Sequence, residues 1–315
     1  MDKTKKIILT GGAGLVGQNL VLELQSKGYT NIVVIDKNSD NLKILTDLHN
    51  DIKFYNADIS EENSWSQEFK DADCIVMLHA QIAGLSYEPF EKNNIKGTEM
   101  ILKKIKEYDI PFLVHISSSV VLTDAQDFYT VSKKEQERIV RGSGVKHCVL
   151  RPTLMFGWFD PKHLGWLARF MEKTPIFPIP GKGDFLRQPL YVRDFVRAIE
   201  KCIQFRPQGD VYDLVGPDEI DYVDIIKEIK KIRNFKIFIL HIPYQLFKAI
   251  LKLAALVHPK PPFTAQQLDA LAAGDYFKGV DIERVFGFKP TGFIEALKET
   301  WSHPVYSKIA LKSPH

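Results

Sequence analysis

A glycine-rich turn near the N-terminus constrains the fold of this chain more than any other feature. It occupies residues 10–17, Thr-Gly-Gly-Ala-Gly-Leu-Val-Gly, and contains both the G-x-G-x-x-G and the G-x-x-G-x-x-G spacing. The run 6–10 before it, Lys-Ile-Ile-Leu-Thr, predicts a buried strand, and the pattern of residues 15–27 after it predicts a helix. Glycines at these spacings permit a tight turn, close approach of a pyrophosphate and close packing of helix on strand. The turn therefore predicts a βαβ unit that binds a dinucleotide.

Short β-branched runs alternate with helical patterns through the first half of the chain. Further strands are predicted at 32–35, 52–55, 74–78, 112–116 and 148–150, with helices at 97–108 and 133–141. Continuous apolar strands separated by helices indicate a parallel sheet that is covered on both faces. We therefore predict an α/β fold, a doubly wound parallel sheet of the Rossmann type with a smaller, mostly helical C-terminal substrate lobe.

The sequence changes character after residue 152. Pro, Phe and Trp become frequent there, a helix-and-strand pattern returns at 189–215, and the chain from 220 onward is predicted to be helical with a Pro-rich break at 259–262. A chain of 315 residues has room for two units at about 150 residues each. We assign an NAD-binding domain and a substrate-binding lobe to discontinuous ranges: 1–155 with 189–215, and 156–188 with 216–315.

Charge and cysteine content exclude several classes of protein. The chain carries 42 Lys+Arg and 39 Asp+Glu, so its net charge of +3 gives no reason to expect nucleic acid as a partner. Cys74, Cys148 and Cys202 are too far apart for a C-x-x-C pair, which argues against a zinc ribbon, a redox dithiol or a secreted disulfide framework. The nine histidines form no metal constellation, and His115 is expected to be a hydrogen-bonded sheet residue. These features fit a cytoplasmic protein without a metal.

Apolar runs are too short for a membrane span or a signal peptide. The best candidate, 246–257, is interrupted by Lys248 and Lys252 and falls short of the ~18 apolar residues of a span. These two lysines lie four residues apart, on one helical face, so an amphipathic helix is the better interpretation. The run after the N-terminus is also shorter than the ~7–15 apolar residues of a signal peptide. We therefore expect no membrane partner.

An acidic residue ends the second predicted strand. Asp36 lies 19 residues beyond Gly17, where a carboxylate can accept hydrogen bonds from the adenosine ribose and repel a 2′-phosphate. This position favours NAD over NADP, although Lys37 beside it could meet a phosphate. Asp58 follows the third strand, where it could cap the next helix or reach the adenine.

Two Tyr-x-x-x-Lys pairs place a tyrosine and a lysine on one helix face. A nearby cation favours the phenolate of a tyrosine, whose ordinary pKa is ~10. Tyr129 and Lys133 follow the serines at the end of the fifth strand, where ligands bind in an open α/β sheet. Tyr244 and Lys248 lie in the late helical segment, so we interpret them as packing residues.

These motifs together resemble the extended short-chain dehydrogenase/reductase family, which includes nucleotide-sugar epimerases and dehydratases. The resemblance covers nearly the whole chain. The residues that carry it are Gly11, Gly14, Gly17, Asp36, His79, Ala80, Asn94, Ser117, Ser118, Ser119, Tyr129, Lys133, Arg151, Pro152, Gly181, Gly183, Arg187, Tyr191, Val192 and Asp194.

The resemblance implies a role for each matching residue. Ser119, with Ser118 as the neighbouring candidate, would hydrogen-bond the substrate, and Tyr129 would act as general acid/base. Lys133 would hold the nicotinamide ribose and lower the pKa of Tyr129. Arg187 would contact a nucleotide diphosphate, or would be a solvated loop arginine. The remaining substrate contacts would be Gln81 and Tyr191, and the cofactor contacts Gly11, Gly14, Leu15, Val16, Gly17, Asp36, Asp58, Ile59, His79, Ala80 and Asn94.

Gln81-Ile82-Ala83-Gly84 follows His79-Ala80 where many family members have another alanine, and two further features bear on the reaction. Only ten residues separate Ser119 from Tyr129, which shortens the loop that would wall the sugar. Val120 and Val121 stand where a dehydratase has an acid, which disfavours 4,6-dehydration. The leading hypothesis is an NAD-dependent epimerase, or a dehydrogenase/4-ketoreductase, acting on a nucleotide-activated sugar. The alternatives are a hydroxysteroid- or flavonoid-type alcohol dehydrogenase/reductase and a non-catalytic dinucleotide-binding subunit. The resemblance also implies a homodimer formed through helices 97–108 and 133–141.

Overall fold

A computed structural model describes residues 2–257, 264–272, 274 and 276–312 of the chain. The predicted Pro-rich break at 259–262 lies outside these residues. The strands are β1 (Lys6–Thr10), β2 (Ile32–Asp36), β3 (Lys53–Asn56), β4 (Ala72–Met77), β5 (Leu113–Ile116), β6 (His147–Pro152), β7 (Met155–Phe156), β8 (Ile176–Pro180), β9 (Leu186–Arg187), β10 (Leu190–Tyr191), β11 (Val211–Leu214), β12 (Ile220–Asp221) and β13 (Phe238–Ile242).

The helices between these strands vary in length and type. The α-helices are α1 (Leu15–Ser26), α2 (Ser39–Leu48), α3 (Glu88–Phe90), α4 (Gly97–Glu107), α5 (Phe128–Arg141), α6 (Leu164–Lys173), α7 (Val192–Phe205), α8 (Tyr222–Ile232), α9 (Tyr244–Val257), α10 (Ala265–Ala272), α11 (Ile282–Phe286) and α12 (Phe293–Ser302). A π-helical turn, Glu91–Lys96, joins α3 to α4, and a 3₁₀ turn, Ser119–Leu122, follows β5. No described helix is long and apolar enough to cross a membrane.

Seven parallel strands form the central sheet in the order β11-β6-β5-β4-β1-β2-β3. The strand order reverses between β1 and β4, which is where an open α/β sheet binds its ligand, beyond the carboxyl ends of the strands. The predicted doubly wound parallel sheet is confirmed. The edge strand β11 pairs with β6, so the chain returns to this sheet after residues 156–188.

Helices cover both faces of the sheet because alternate strand residues point to opposite sides. In β1, Ile7 and Leu9 belong to the apolar core on one face, whereas Ile8 belongs to the core on the other. All three side chains are fully buried. This double burial accounts for the continuous apolar strands of the sequence.

A separate apolar core holds the C-terminal lobe together. It includes Phe177 of β8, Ile225 and Ile229 of α8, and Leu297 of α12. The expectation that the chain is helical throughout after residue 220 is wrong, because β13 pairs in parallel with β8. This strand, Phe238–Ile242, is rich in apolar residues, and its partly buried Ile239 packs against the lobe core.

Candidate active site

The glycine turn shapes the sheet edge at the point where the strand order reverses. Gly11 has φ of +72°, and a Cβ added there would lie 2.5 Å from the His79 Cα. A Cβ on Gly17 would lie 2.1 Å from the Gly12 carbonyl oxygen. Gly14 differs, because its φ is −77° and an added Cβ would meet only the Gly11 oxygen at 3.5 Å. The packing of the protein itself therefore requires glycine at 11 and 17, whereas the described residues leave room for a Cβ at 14.

Helix α1 begins directly at this turn and is suited to an anion. Gly14 is its N-cap and supplies no side-chain hydrogen bond, and the first turn contains no acidic residue. The backbone N–H groups at such a helix start carry a partial positive charge that favours phosphate. The side chains of Leu15 and Val16 are partly buried and pack against apolar clusters of the protein.

Asp36 at the end of β2 supports the glycine turn. Its carboxylate accepts hydrogen bonds from the N–H groups of Ala13, at 3.0 Å, and Asn38, at 2.9 Å. Burial raises the pKa of Asp36, and these backbone hydrogen bonds oppose that effect. A carboxylate fixed at this position fits the ribose of a dinucleotide.

The ammonium group of Lys37 is held by two polar side chains. Its Nζ donates to Oδ1 of Asn93 at 2.6 Å and lies 3.5 Å from the carboxylate of Asp58. Burial alone would raise the pKa of Asp58, but hydrogen bonds from Ser60 and the nearby lysines lower it to about 2. Asp58 accepts from the backbone N–H of Ser60, while Ile59 is buried against Gly97.

Three consecutive serines after β5 lie in different surroundings. Ser117 donates to Oε2 of Glu137 at 2.7 Å, which gives it a structural role. Ser119 is buried at the start of the 3₁₀ turn. Burial raises the pKa of Tyr129, and interaction with the Ser118 side chain lowers it. Ser118, the neighbouring candidate of the sequence, therefore lies beside the tyrosine hydroxyl.

Lys133 is buried one helical turn after Tyr129. Its Nζ donates to the carbonyl oxygen of Ile116, at the end of β5, at 2.9 Å, and to Oε1 of Gln136. Burial lowers the pKa of Lys133 to about 7, and Glu137 opposes this effect. Lys133 is not among the groups that shift the pKa of Tyr129 here, so its predicted effect on that tyrosine stays a prediction.

His79 and Gln136 connect the glycine turn with helix α5. His79 Nδ1 lies 2.9 Å from the Thr10 hydroxyl, and its Nε2 lies 3.2 Å from the Thr98 hydroxyl and 3.3 Å from Gln136 Nε2. Burial, together with Lys133, lowers the pKa of His79 to about 3, so the ring is neutral at physiological pH. Sequence reasoning missed Gln136, although it lies three residues after Lys133 on the same helix face.

Asn94 joins the end of β4 to α5. Its Oδ1 accepts from the Gln81 N–H at 2.6 Å, and its Nδ2 donates to the Ser132 hydroxyl at 2.8 Å. Asn94 is fully buried within the π-helical turn, a distortion that is frequent at functional sites. This arrangement orders the backbone at Ala80 and Gln81, which follows His79 at the carboxyl end of the sheet.

Two of the predicted substrate contacts, Arg187 and Tyr191, are buried. The guanidinium of Arg187 donates to the carbonyl oxygens of Leu186, at 3.3 Å, and Leu271. Tyr191 packs on Phe156, with ring centroids 5.6 Å apart, in the lobe core. Their contact with substrate stays a prediction.

The expectation that His115 is a hydrogen-bonded sheet residue is wrong within the described residues. Neither ring nitrogen of this fully buried side chain has a hydrogen-bond partner there. Burial, reinforced by Lys133, lowers the pKa of His115 well below its usual range, so the ring is neutral. The sequence pattern correctly predicted that His115 lies in strand β5. It could not predict which side chains pack against the imidazole ring.

Comparison with known proteins identifies the family. Residues 7–214 match the model of the NAD dependent epimerase/dehydratase family, which is more than half of the chain. The chain belongs to this family. The family is named for its cofactor, NAD. The glycine turn, the N-terminus of α1 without a side-chain cap, and the Asp36 carboxylate all fit this dinucleotide.

The relatives of this chain include enzymes of different substrate classes. The dTDP-glucose 4,6-dehydratase of Escherichia coli is 25% identical over 277 residues, which cover 72% of this chain and 76% of that protein. The decarboxylating sterol-4-alpha-carboxylate 3-dehydrogenase of Mus musculus is 21% identical over 326 residues, covering 92% and 88%. A UDP-glucose 4-epimerase from Thermotoga maritima, solved with UDP-glucose, has a TM-score of 0.76 at 20% identity and covers 94% of this chain and 97% of that one.

Proposed function

We propose that the protein oxidises and reduces a nucleotide-activated sugar with NAD, as an epimerase or as a dehydrogenase/4-ketoreductase. The observation that carries the proposal is the direct connection between two sites. Gly11 contacts His79, which contacts Gln136, and Gln136 accepts a hydrogen bond from Lys133, one turn after Tyr129. A dinucleotide seated on the glycine turn would therefore end beside the Tyr-Lys pair.

The protein side chains handle the proton and the orientation of the substrate. Tyr129 removes the proton of a substrate hydroxyl as it is oxidised and returns it to the oxygen on reduction. Bound NAD supplies the hydride acceptor, and its reduced form the hydride donor. Burial raises the pKa of Tyr129, so the phenol is protonated at neutral pH and needs Ser118 and a nearby cation to ionise. Ser118, whose side chain interacts with Tyr129, and its neighbour Ser119 would hold the reacting oxygen.

The residues after the serines favour these reactions over dehydration. Val120 and Val121 have apolar side chains that cannot transfer a proton, and they occupy the positions where the family's dehydratases have an acid.

A mass spectrum of the small molecules released from the purified protein tests the proposal. We expect NAD, together with a nucleotide sugar where one is retained. NAD that stays bound through purification supports epimerisation, because an epimerase returns the hydride to its own substrate. NAD that washes off, with net formation of NADH from a sugar nucleotide, supports dehydrogenation. Absence of affinity for any dinucleotide would contradict the proposal.

A hydroxysteroid- or flavonoid-type dehydrogenase is the second candidate function. Leu122 and Phe128, which flank the short loop before Tyr129, are exposed and apolar. Arg187 donates to backbone carbonyls in the lobe, and a sterol dehydrogenase relative covers 92% of the chain. Activity on apolar ketones, without binding of uridine, guanosine or thymidine diphosphates, would favour this candidate.

Cofactor selectivity depends on Asp36 in this proposal. We expect Asp36→Ser to weaken NAD binding and to improve NADP binding, changing the NAD/NADP affinity ratio by about tenfold or more. Lys37→Ala is the matched control, because Lys37 contacts Asp58 and Asn93 and should leave the ratio nearly unchanged. Titration calorimetry with both dinucleotides measures the ratio, and an equal effect of the two substitutions would contradict the assignment.

We also propose a homodimer formed through α4 and α5, as the family resemblance implies. The exposed side chains of α5 include Phe128 and Val131, two apolar residues close to Tyr129. Small-angle scattering at micromolar concentration should give the mass of two chains, and a monomer mass would contradict this proposal.

A further inference from the structure

Helix α9 is apolar but lies on the surface of the lobe. Leu246, Ile250 and Leu253 are 54%, 47% and 64% exposed, and their spacing places them on one helical face. Among the side chains of α9 that the structure describes, only Phe247 is buried. A helix this apolar is normally covered by other parts of the protein or by lipid.

The strand before α9 adds a second apolar surface. Phe238 and Leu240 of β13 are two residues apart and therefore lie on the same face, and they are 64% and 40% exposed. Ile176 of β8 is the register partner of Phe238 and is also exposed. Helix α9 begins two residues after β13 ends, so one continuous segment carries both surfaces.

The segment that carries both surfaces has a net positive charge. Residues 229–257 contain six positive side chains and no Asp or Glu, in a chain whose net charge is only +3. Three of the six pair with acids outside the segment: Lys231 with Glu228, Arg233 with Glu172 and Lys248 with Asp269. Lys230 and Lys236 have no ion-pair partner among the described residues, whereas Lys252 lies close enough to Asp269 to help lower the pKa of that carboxyl group.

We propose that α9 and the exposed face of β13 bind the surface of an anionic phospholipid bilayer. The apolar side chains would enter the boundary between headgroups and acyl chains, while the lysines reach the lipid phosphates. With 14 residues, α9 would lie in the plane of the interface, since ~1.5 Å per residue is too little to cross ~30 Å of hydrocarbon. A second copy of the chain is disfavoured as the occupant, because two such positive surfaces would repel each other.

This proposal revises the expectation of no membrane partner, which followed from the absence of a spanning segment. It is independent of the reaction, because α9 contributes no residue to the catalytic site described above. Its contacts are with α10, where Asp269 accepts from Tyr244 and Lys248. These two residues form the second Tyr-x-x-x-Lys pair, which is therefore a surface contact with α10 and not a packing pair.

Flotation of the full chain with lipid vesicles tests the proposal. We expect the protein to float with vesicles of phosphatidylglycerol and phosphatidylcholine, to bind pure phosphatidylcholine vesicles more weakly, and to be partly released by salt. The triple variant Leu246→Gln/Ile250→Gln/Leu253→Gln should lose affinity for the anionic vesicles by about tenfold or more. The double variant Lys236→Glu/Lys252→Glu should lower affinity for anionic vesicles alone.

A matched control separates this surface from general hydrophobicity. Val285 and Ile294 are 40% and 46% exposed on other helices, so Val285→Gln/Ile294→Gln should leave vesicle binding unchanged. Failure of the wild type to float with anionic vesicles would overturn the proposal, as would equal binding by the triple variant and this control. Self-association of the wild type and the triple variant would also be measured without lipid. If the wild type self-associates and the triple variant does not, the surface binds a second copy of the chain and the proposal is wrong.

Discussion

Substitution of Tyr129 by Phe should reduce turnover by about 100- to 10,000-fold while NAD binding persists. The change removes only the hydroxyl that exchanges the substrate proton. Tyr244→Phe is the matched control, because Tyr244 also precedes a lysine by four residues but donates to Asp269 on the surface of the lobe. Turnover unchanged in Tyr129→Phe would remove the catalytic assignment and favour a non-catalytic dinucleotide-binding subunit.

The same tyrosine determines the pH dependence of the wild type. Because burial raises the pKa of Tyr129, the base form is scarce at neutral pH and increases as the pH rises. The rate of oxidation should therefore rise with pH, whereas reduction, which needs the protonated phenol, should not. A rate of oxidation that falls from neutral to mildly alkaline pH would contradict this role of Tyr129.

Two alanine substitutions in the glycine turn should affect different properties: Gly17→Ala the stability of the fold, and Gly14→Ala the affinity for NAD. Gly17→Ala should destabilise the fold by about 3 kcal/mol, because its Cβ would overlap the Gly12 carbonyl oxygen. Gly14→Ala should leave the thermal midpoint nearly unchanged, since its Cβ would make only ordinary contact with the protein. Its NAD affinity should nevertheless fall by about tenfold or more, because the methyl group would keep the pyrophosphate from the backbone.

Thermal unfolding and NAD titration of both variants measure these effects separately. The two results together identify which glycine serves the fold and which serves the ligand. If Gly14→Ala bound NAD as tightly as the wild type, the turn would not be the pyrophosphate site.

The sheet could be predicted from the sequence because its strands are buried on both faces. Runs such as 7–9 and 74–78 are apolar throughout, and a short apolar run bounded by turn residues is a local signal of a buried strand. Strand β13 was missed because its residues 238–242 pair with a distant short strand, β8, and show no helix-breaking signal of their own.

The site was predictable where it depends on local sequence and less so where it depends on packing. The turn at 10–17 and the Tyr129–Lys133 spacing are local, so they could be identified directly. The place of Ser118 beside Tyr129 depends on how the 3₁₀ turn leaves β5. Gln136 became relevant only because β1, β4 and α5 bring His79 and Lys133 to its side chain.

Formation of reduced nicotinamide in a single turnover tests the central claim most directly. NAD-loaded protein would be mixed with a panel of UDP-, GDP- and dTDP-sugars while the absorbance of the reduced cofactor is followed. We predict transient or lasting reduction with at least one nucleotide sugar in the wild type, and none in Tyr129→Phe. Reduction by none of them, in protein shown to bind NAD, would contradict the claim that this chain is a nucleotide-sugar oxidoreductase or epimerase.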